Sequence, residues 1–160
     1  DYFDIVLIHC VRQPGWAKEL EPMRDAFSEA KQKKIMLAHG ASAHGILPVR
    51  DFPGNKWLDV ALLRVNHNGV RMDTLGAEGE GLIGDVREVT KHVAAVHKQG
   101  TGVLGMKLIG EGAFKSPEER QKAINYVMGL GTVDAVTIGF KNTAEVDEAI
   151  ERMNTALAQS

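Results

Sequence analysis

A parallel α/β architecture is what this sequence predicts, and three observations predict it. Apolar runs of strand length recur five times along the chain. Amphipathic, charged stretches with helical spacing separate them. The runs are near-continuous rather than alternating, which is how strands covered on both faces read. Strand–helix repetition of this kind implies a parallel sheet with right-handed crossovers. Five such units fit in 160 residues, at roughly 30 residues per unit. A doubly wound open sheet and a piece of an eight-stranded barrel both satisfy the pattern, and periodicity does not separate them.

The first run covers residues 5–8 and stops at His9-Cys10. A helix is expected over 17–34, where Leu20, Met23, Ala26, Phe27 and Ala30 recur at helical spacing. The second strand is expected at 35–38 and the third at 60–65. Residues 66–84 between the third strand and the next helix are long, polar and glycine-rich, the composition of a functional loop or lid. Val86, Val89, Val93 and Val96 form one face of a helix over 85–99, with Asp85 as its N-cap. The fourth strand is expected at 102–109. Ser116-Pro117-Glu118-Glu119 opens a helix over 116–130, with proline at its first helical position. The last pair is a strand at 133–138 and a helix at 143–158 carrying Val146, Ile150, Met153 and Leu157. No domain boundary interrupts this order, so residues 1–160 read as a single unit.

Composition narrows the function classes. The formal net charge is −2, from 19 Lys and Arg against 21 Asp and Glu, so neither nucleic acid nor an anionic membrane is an expected partner. The lone cysteine, Cys10, excludes an internal disulfide and any multi-cysteine metal site. No run approaches the roughly 18 apolar residues of a membrane span. A cytoplasmic location is expected, any export signal having to lie upstream of Asp1.

In parallel sheets and barrels, sites form at the carboxyl ends of the strands. With the strands as drawn, His9, His39, His44 and His67 all fall on that rim. His92 and His97 lie beside Lys91 and Lys98 on a helix, where a solvated face accounts for them. His9 reads equally as a hydrogen-bonded structural residue or as a site residue. Cys10 reads as a small buried hydrophobe. Lys107, flanked by Met106, Leu108 and Ile109, brings an amine out of a dry strand. It suits an anion-binding cation, a Schiff-base lysine or a side chain snorkelling to the rim. Residues 79–84 fit G-x-G-x-x-G, but no strand precedes them and Glu78 and Glu80 would repel a pyrophosphate, so a flexible loop is expected. The histidines are spaced one per unit without a paired helix face, and no metal is expected, although His39 and His44 bracket a turn near His9.

Several segments carry a resemblance in order. Asp1-Tyr2-Phe3-Asp4-Ile5-Val6-Leu7-Ile8-His9 resembles the D-Y-x-D-x-x-L-x-H segment of the aldo/keto reductase superfamily. Gly40-Ala41-Ser42 is similar to the family's G-x-S-N turn after its fifth barrel strand. Residues 102–112 resemble its seventh strand and phosphate loop in the Met-Lys version. Residues 133–139, followed by Glu145-Val146-Asp147-Glu148, are similar to its eighth strand and helix. The resemblance implies a (β/α)8 TIM barrel, here an incomplete barrel of about five βα units from strand 4 to helix 8. It also implies that the family's catalytic Asp, Tyr and Lys lie upstream of Asp1, and that the missing N-terminal part of the same barrel is this chain's partner. With two sheet edges otherwise open, stability only within a longer chain is expected.

The activity so implied is reversible hydride transfer between NADP(H) or NAD(H) and a small-molecule carbonyl. His9 matches the histidine that orients the substrate carbonyl, and Ser42 the serine that holds the nicotinamide carboxamide. Lys107, Leu108 and Gly110 fall where the pyrophosphate is wrapped, and Gly139 and Lys141 near the adenosine phosphate. There are departures. Ala43 stands at a usual asparagine, Leu62 near a usual glutamine, Met106 at the stacking aromatic, Ala149 at an adenine-contacting asparagine and Cys10 at a common tryptophan. Glu145 stands at the arginine for the 2′-phosphate, which weighs against NADPH because a carboxylate repels phosphate. A catalytically weak, cofactor-binding barrel acting as a regulatory or interaction subunit, and a Schiff-base lyase using Lys107, are the alternatives.

Overall fold

A computed structural model describes residues 1–75 and 83–158. Five strands form one sheet: β1 (Phe3–Val11), β2 (Met36–Ala43), β3 (Val60–Arg64), β4 (Gly102–Met106) and β5 (Ala135–Thr137). Their order in the sheet is their order in the chain, and every neighbouring pair is parallel. Sequential parallel neighbours are the arrangement of a barrel wall; a doubly wound sheet reverses its strand order. Among the described residues the wall is open, with β1 and β5 at its edges.

Among the described residues six α-helices accompany the strands: α1 (Trp16–Glu19), α2 (Glu21–Gln32), α3 (Ile46–Val49), α4 (Val86–Lys98), α5 (Pro117–Met128) and α6 (Thr143–Leu157). The single helix expected over 17–34 is two. Pro22 lies in the first turn of α2, and a proline cannot continue an incoming helix because it lacks the N–H and its ring meets the preceding turn. Leu20, at φ −97° and ψ 22°, is the hinge between them. The other starts follow the local code. The Asp85 carboxylate accepts from the N–H groups of Arg87 and Glu88, Ser116 and Glu119 form a capping box, and Asn142 accepts from the Glu145 N–H.

The main core lies between one face of the sheet and the helices. Ile8, Ala41, Ala61 and Val103 are paired across four strands and meet Val89, Val93 and Val96 of α4. Trp16, Phe52 and Leu58 belong to the same cluster. A smaller cluster of Val65, Leu108 and Val127 sits under α5. Gly40 allows β2 and β3 to approach, since a Cβ there would stand 1.7 Å from the Val60 carbonyl oxygen. Tyr2, Phe3, Ile5, Ile35 and Leu37, around the amino ends of β1 and β2, are exposed.

Two strand ends differ from the sequence expectation. β2 runs five residues beyond Ala38, to Ala43, so Gly40-Ala41-Ser42 is strand rather than turn. β4 stops at Met106, so Lys107 belongs to the following turn, at φ +63°. Pairing with β1 and β3 on both sides outweighs the low strand propensity of Gly40-Ala41-Ser42. Much of the 66–84 loop, residues 76–82, and with it most of the G-x-G-x-x-G match, lies outside the described residues. No described helix is long and apolar enough to cross a membrane.

Candidate active site at the carboxyl ends of the strands

The end of β1 is built as a bulge. Pairing with β2 is regular up to Ile8 opposite Ala41, then shifts so that Val11 stands opposite Ala43. The extra residue lies in His9-Cys10, and Cys10 adopts φ +60°. Such a bulge re-aims a side chain at the sheet rim. The Cys10 N–H donates to the buried Ser42 hydroxyl at 2.8 Å. The same hydroxyl lies 3.5 Å from His9 Nδ1. His9 is otherwise exposed, with its ring edge toward His44 at 6.4 Å between centroids. The Cys10 sulfur accepts from Arg12 Nε at 3.2 Å.

From His44 the polar line continues into β3. Arg64 hydrogen-bonds His44 Nδ1 through its guanidinium, and its Nε lies 3.8 Å from Asp73 Oδ1. Asp73, 1% exposed, also accepts from the Gly45 N–H at 2.8 Å. A buried carboxylate needs such partners to remain ionised. Sequence reasoning passes over Arg64, whose signal is a charge inside the apolar run 60–65; its partners come from two separate segments.

The turn after β4 holds a second group. The Lys107 ammonium meets Glu111 at 2.8 Å, and Arg71 Nε lies 3.4 Å from the other oxygen of that carboxylate. The hydrogen bond from Lys107 is the largest influence and holds the Glu111 carboxyl below its ordinary range; burial opposes it, and the charges of Lys107, Arg71 and Arg64 reinforce it. Gly110, at φ +59°, has no room for a side chain because a Cβ would meet Val70 at 2.6 Å. Asn66, fully buried, ties the turn to the loop after β3. Its amide donates to the carbonyls of Val70 (2.7 Å) and Lys107 (3.2 Å), and its oxygen accepts from the N–H groups of Asn68 and Gly69.

The structure thus brings His9 and Ser42 together, and gathers Lys107, Leu108 and Gly110 in one turn. Leu108 is 1% exposed inside the smaller core, so only its backbone is available to a ligand. Gly139 and Lys141 follow β5 and are exposed. The Lys141 N–H is taken by the Glu145 carboxylate at 2.9 Å. Of the departing positions, Ala43 is wholly buried in the main core.

His39 does not join the rim. With β2 extended, it lies near the amino end of β3, where its backbone N–H donates to Asp59 at 2.9 Å and its ring stacks on Trp57 at 4.3 Å and 9°. Burial lowers its pKa; Lys31 acts in the same direction, against an opposing Asp59 charge. It is a structural histidine. His67 packs on Phe114 at 4.9 Å rather than facing His9, and burial lowers its pKa too. His92 and His97, on α4, face Glu88 and Asp134. Among the described residues no group of three His, Cys, Asp or Glu side chains is placed to hold a metal ion.

No protein-family model matches the sequence, and no curated protein does. Solved structures do. A Pseudomonas aeruginosa protein assigned as a candidate aldo-keto reductase superposes with a TM-score of 0.70 at 16% identity, over 98% of this chain and 52% of its own. An aldo-keto reductase from Bacillus halodurans, in its holo form, superposes with a TM-score of 0.69 at 12% identity, over 95% of this chain and 53% of its own. The chain spans about half the length of these structures, and its five parallel strands with alternating helices have the fold of the corresponding part of their barrels.

Proposed function

We propose that this chain is the C-terminal part of an aldo/keto reductase, and that the barrel it belongs to interconverts aldehydes or ketones and alcohols with a nicotinamide dinucleotide. The observation that carries this reading is the pairing of His9 with Ser42, 3.5 Å apart at adjoining strand ends. These two residues have neighbouring duties in the resemblance, one toward the substrate carbonyl and one toward the carboxamide beside it.

The residues fit the cofactor in chemistry. The Ser42 oxygen accepts from the Cys10 N–H, and where His9 Nδ1 carries its own proton the hydroxyl proton is left for a carboxamide oxygen. Lys107 and Arg71 place two cations at the turn that would receive a pyrophosphate. When bound, the nicotinamide supplies or accepts the hydride. His9 would hydrogen-bond the substrate oxygen and stabilise negative charge developing there. The catalytic Asp, Tyr and Lys of this reading come from the preceding part of the barrel. The Glu145 carboxylate near the adenosine end favours NADH over NADPH.

A second reading, a cofactor-binding but catalytically weak subunit, is supported by Ala43. Its methyl is buried in the core, so this position offers no carboxamide contact. A Schiff-base role for Lys107 is disfavoured by its ammonium being engaged with Glu111.

The test is NADH or NADPH oxidation by the full-length protein with a panel of aldehydes and ketones. His9→Ala should lower kcat by about 100-fold, the scale of removing one oxyanion donor, with cofactor affinity little changed. An equal fall in both would make His9 structural and remove the mechanism.

A further inference from the structure

Two cations from two segments meet one carboxylate in the turn after β4. Lys107 and Arg71 touch Glu111 directly, at 2.8 and 3.4 Å, and the charge of Arg64 reaches it from the end of β3. The backbone is unusual at each contacting residue. Lys107, Arg71 and Glu111 are all left-handed, at φ +63°, +57° and +55°. Non-glycine residues adopt that region at a cost of about 1–2 kcal/mol each, and persist there when their surroundings demand it.

We propose that Glu111 is an internal counter-anion, occupying the Lys107–Arg71 cation site in the free protein and leaving it when a phosphate-bearing ligand enters. The inference rests on the reading of this turn as the pyrophosphate position. The carboxylate is placed where a phosphate oxygen would accept from the same two donors. Departure is sterically simple. The Glu111 side chain is half exposed, so it can rotate into solvent without repacking the core. Gly112 beside it has open space around its Cα. A single-charged carboxylate is replaced by a group of higher charge, which the cations favour. The internal pair is still a tax on affinity, because the ligand must first break it.

The full-length protein titrated with inorganic pyrophosphate tests this. Glu111→Gln keeps the shape and removes the charge, and should bind pyrophosphate about threefold to tenfold more tightly, the scale of one or two partly exposed ion pairs. Lys107→Met should bind it more weakly than wild type. Equal or weaker binding by Glu111→Gln, or no binding by either protein, would overturn the proposal. A second readout needs no variant: the Glu111 carboxyl, followed by carbon NMR, should titrate at higher pH once pyrophosphate takes its cations. A carboxyl that titrates at the same low pH with pyrophosphate bound overturns the proposal as well. The two readings fail separately. Tightening for pyrophosphate without any NADH or NADPH binding removes the reductase and keeps the counter-anion. Dinucleotide binding without tightening removes the counter-anion alone.

Discussion

The backbone N–H of Cys10 donates to the hydroxyl of Ser42 at 2.8 Å, joining the bulge of β1 to the last turn of pleat in β2. Cys10 is held at φ +60°, and His9 stands immediately before it. The direction in which His9 leaves the strand therefore depends on a hydrogen bond made 33 residues away from it in sequence.

Ser42→Ala should destabilise the protein by about 1–3 kcal/mol, the penalty for leaving a covered N–H without its acceptor. Chemical denaturation measures it. Because the bulge would relax, the His9 imidazole signals in NMR should also shift, whereas an unchanged His9 environment would show that Ser42 does not position it.

Asn66 makes four hydrogen bonds from a fully buried amide and is the bridge between the loop after β3 and the Lys107 turn. Asn66→Ala should cost more than about 3 kcal/mol, as expected for a broken buried network. Asn66→Asp keeps the acceptor for Asn68 and Gly69 and loses both donors, so it should free the Lys107 carbonyl specifically. Faster amide exchange at Gly110, whose N–H also bonds that carbonyl, is the expected signature.

Lys34 sits just past α2 in a left-handed conformation, φ +58°. Its N–H bonds the Lys31 carbonyl and the Ile35 N–H bonds the Ala30 carbonyl, the two bonds of a Schellman motif that usually places glycine here. Lys34→Gly should stabilise the protein by about 0.5–1 kcal/mol, raising Tm by roughly 1–4 °C for a chain of this size. A fall in Tm would show that the lysine side chain contributes more than the strain costs.

His39 gives the fold a pH dependence of defined sign. Its pKa is lowered by burial, so the folded state prefers the neutral ring. An unfolded histidine protonates near about 6.5. Its contribution is fully present above that value and is lost as pH falls from there toward the lower folded pKa. Asp59 acts in a more acidic window. Burial pushes its carboxyl up, but the His39 N–H, Lys31 and the His39 charge outweigh that and leave it low. His39→Phe keeps an aromatic face for Trp57 and should flatten the fall in stability between pH 7 and 5. An unchanged pH profile would assign that fall to His67 and His92, both also lowered by burial.

Much of the molecule was determined by the sequence alone. Five apolar runs and their amphipathic partners specify parallel strands with covering helices, because each pattern satisfies only one period of burial. Asp85, Ser116 and Glu119 mark helix starts through bonds closed within four residues. The rule that sites form at strand ends points to His9 and Lys107, although Lys107 lies in the turn beyond β4 rather than in the strand. Tertiary structure decided the rest. Pairing on both sides carries β2 through Gly40-Ala41-Ser42 to Ala43, and this moves His39 from the rim to a stack on Trp57. The bulge at Cys10 and the meeting of Arg71 with Glu111 join residues 32 and 40 positions apart. No local pattern encodes such distances; they come from the register of neighbouring strands and the charges that register brings together.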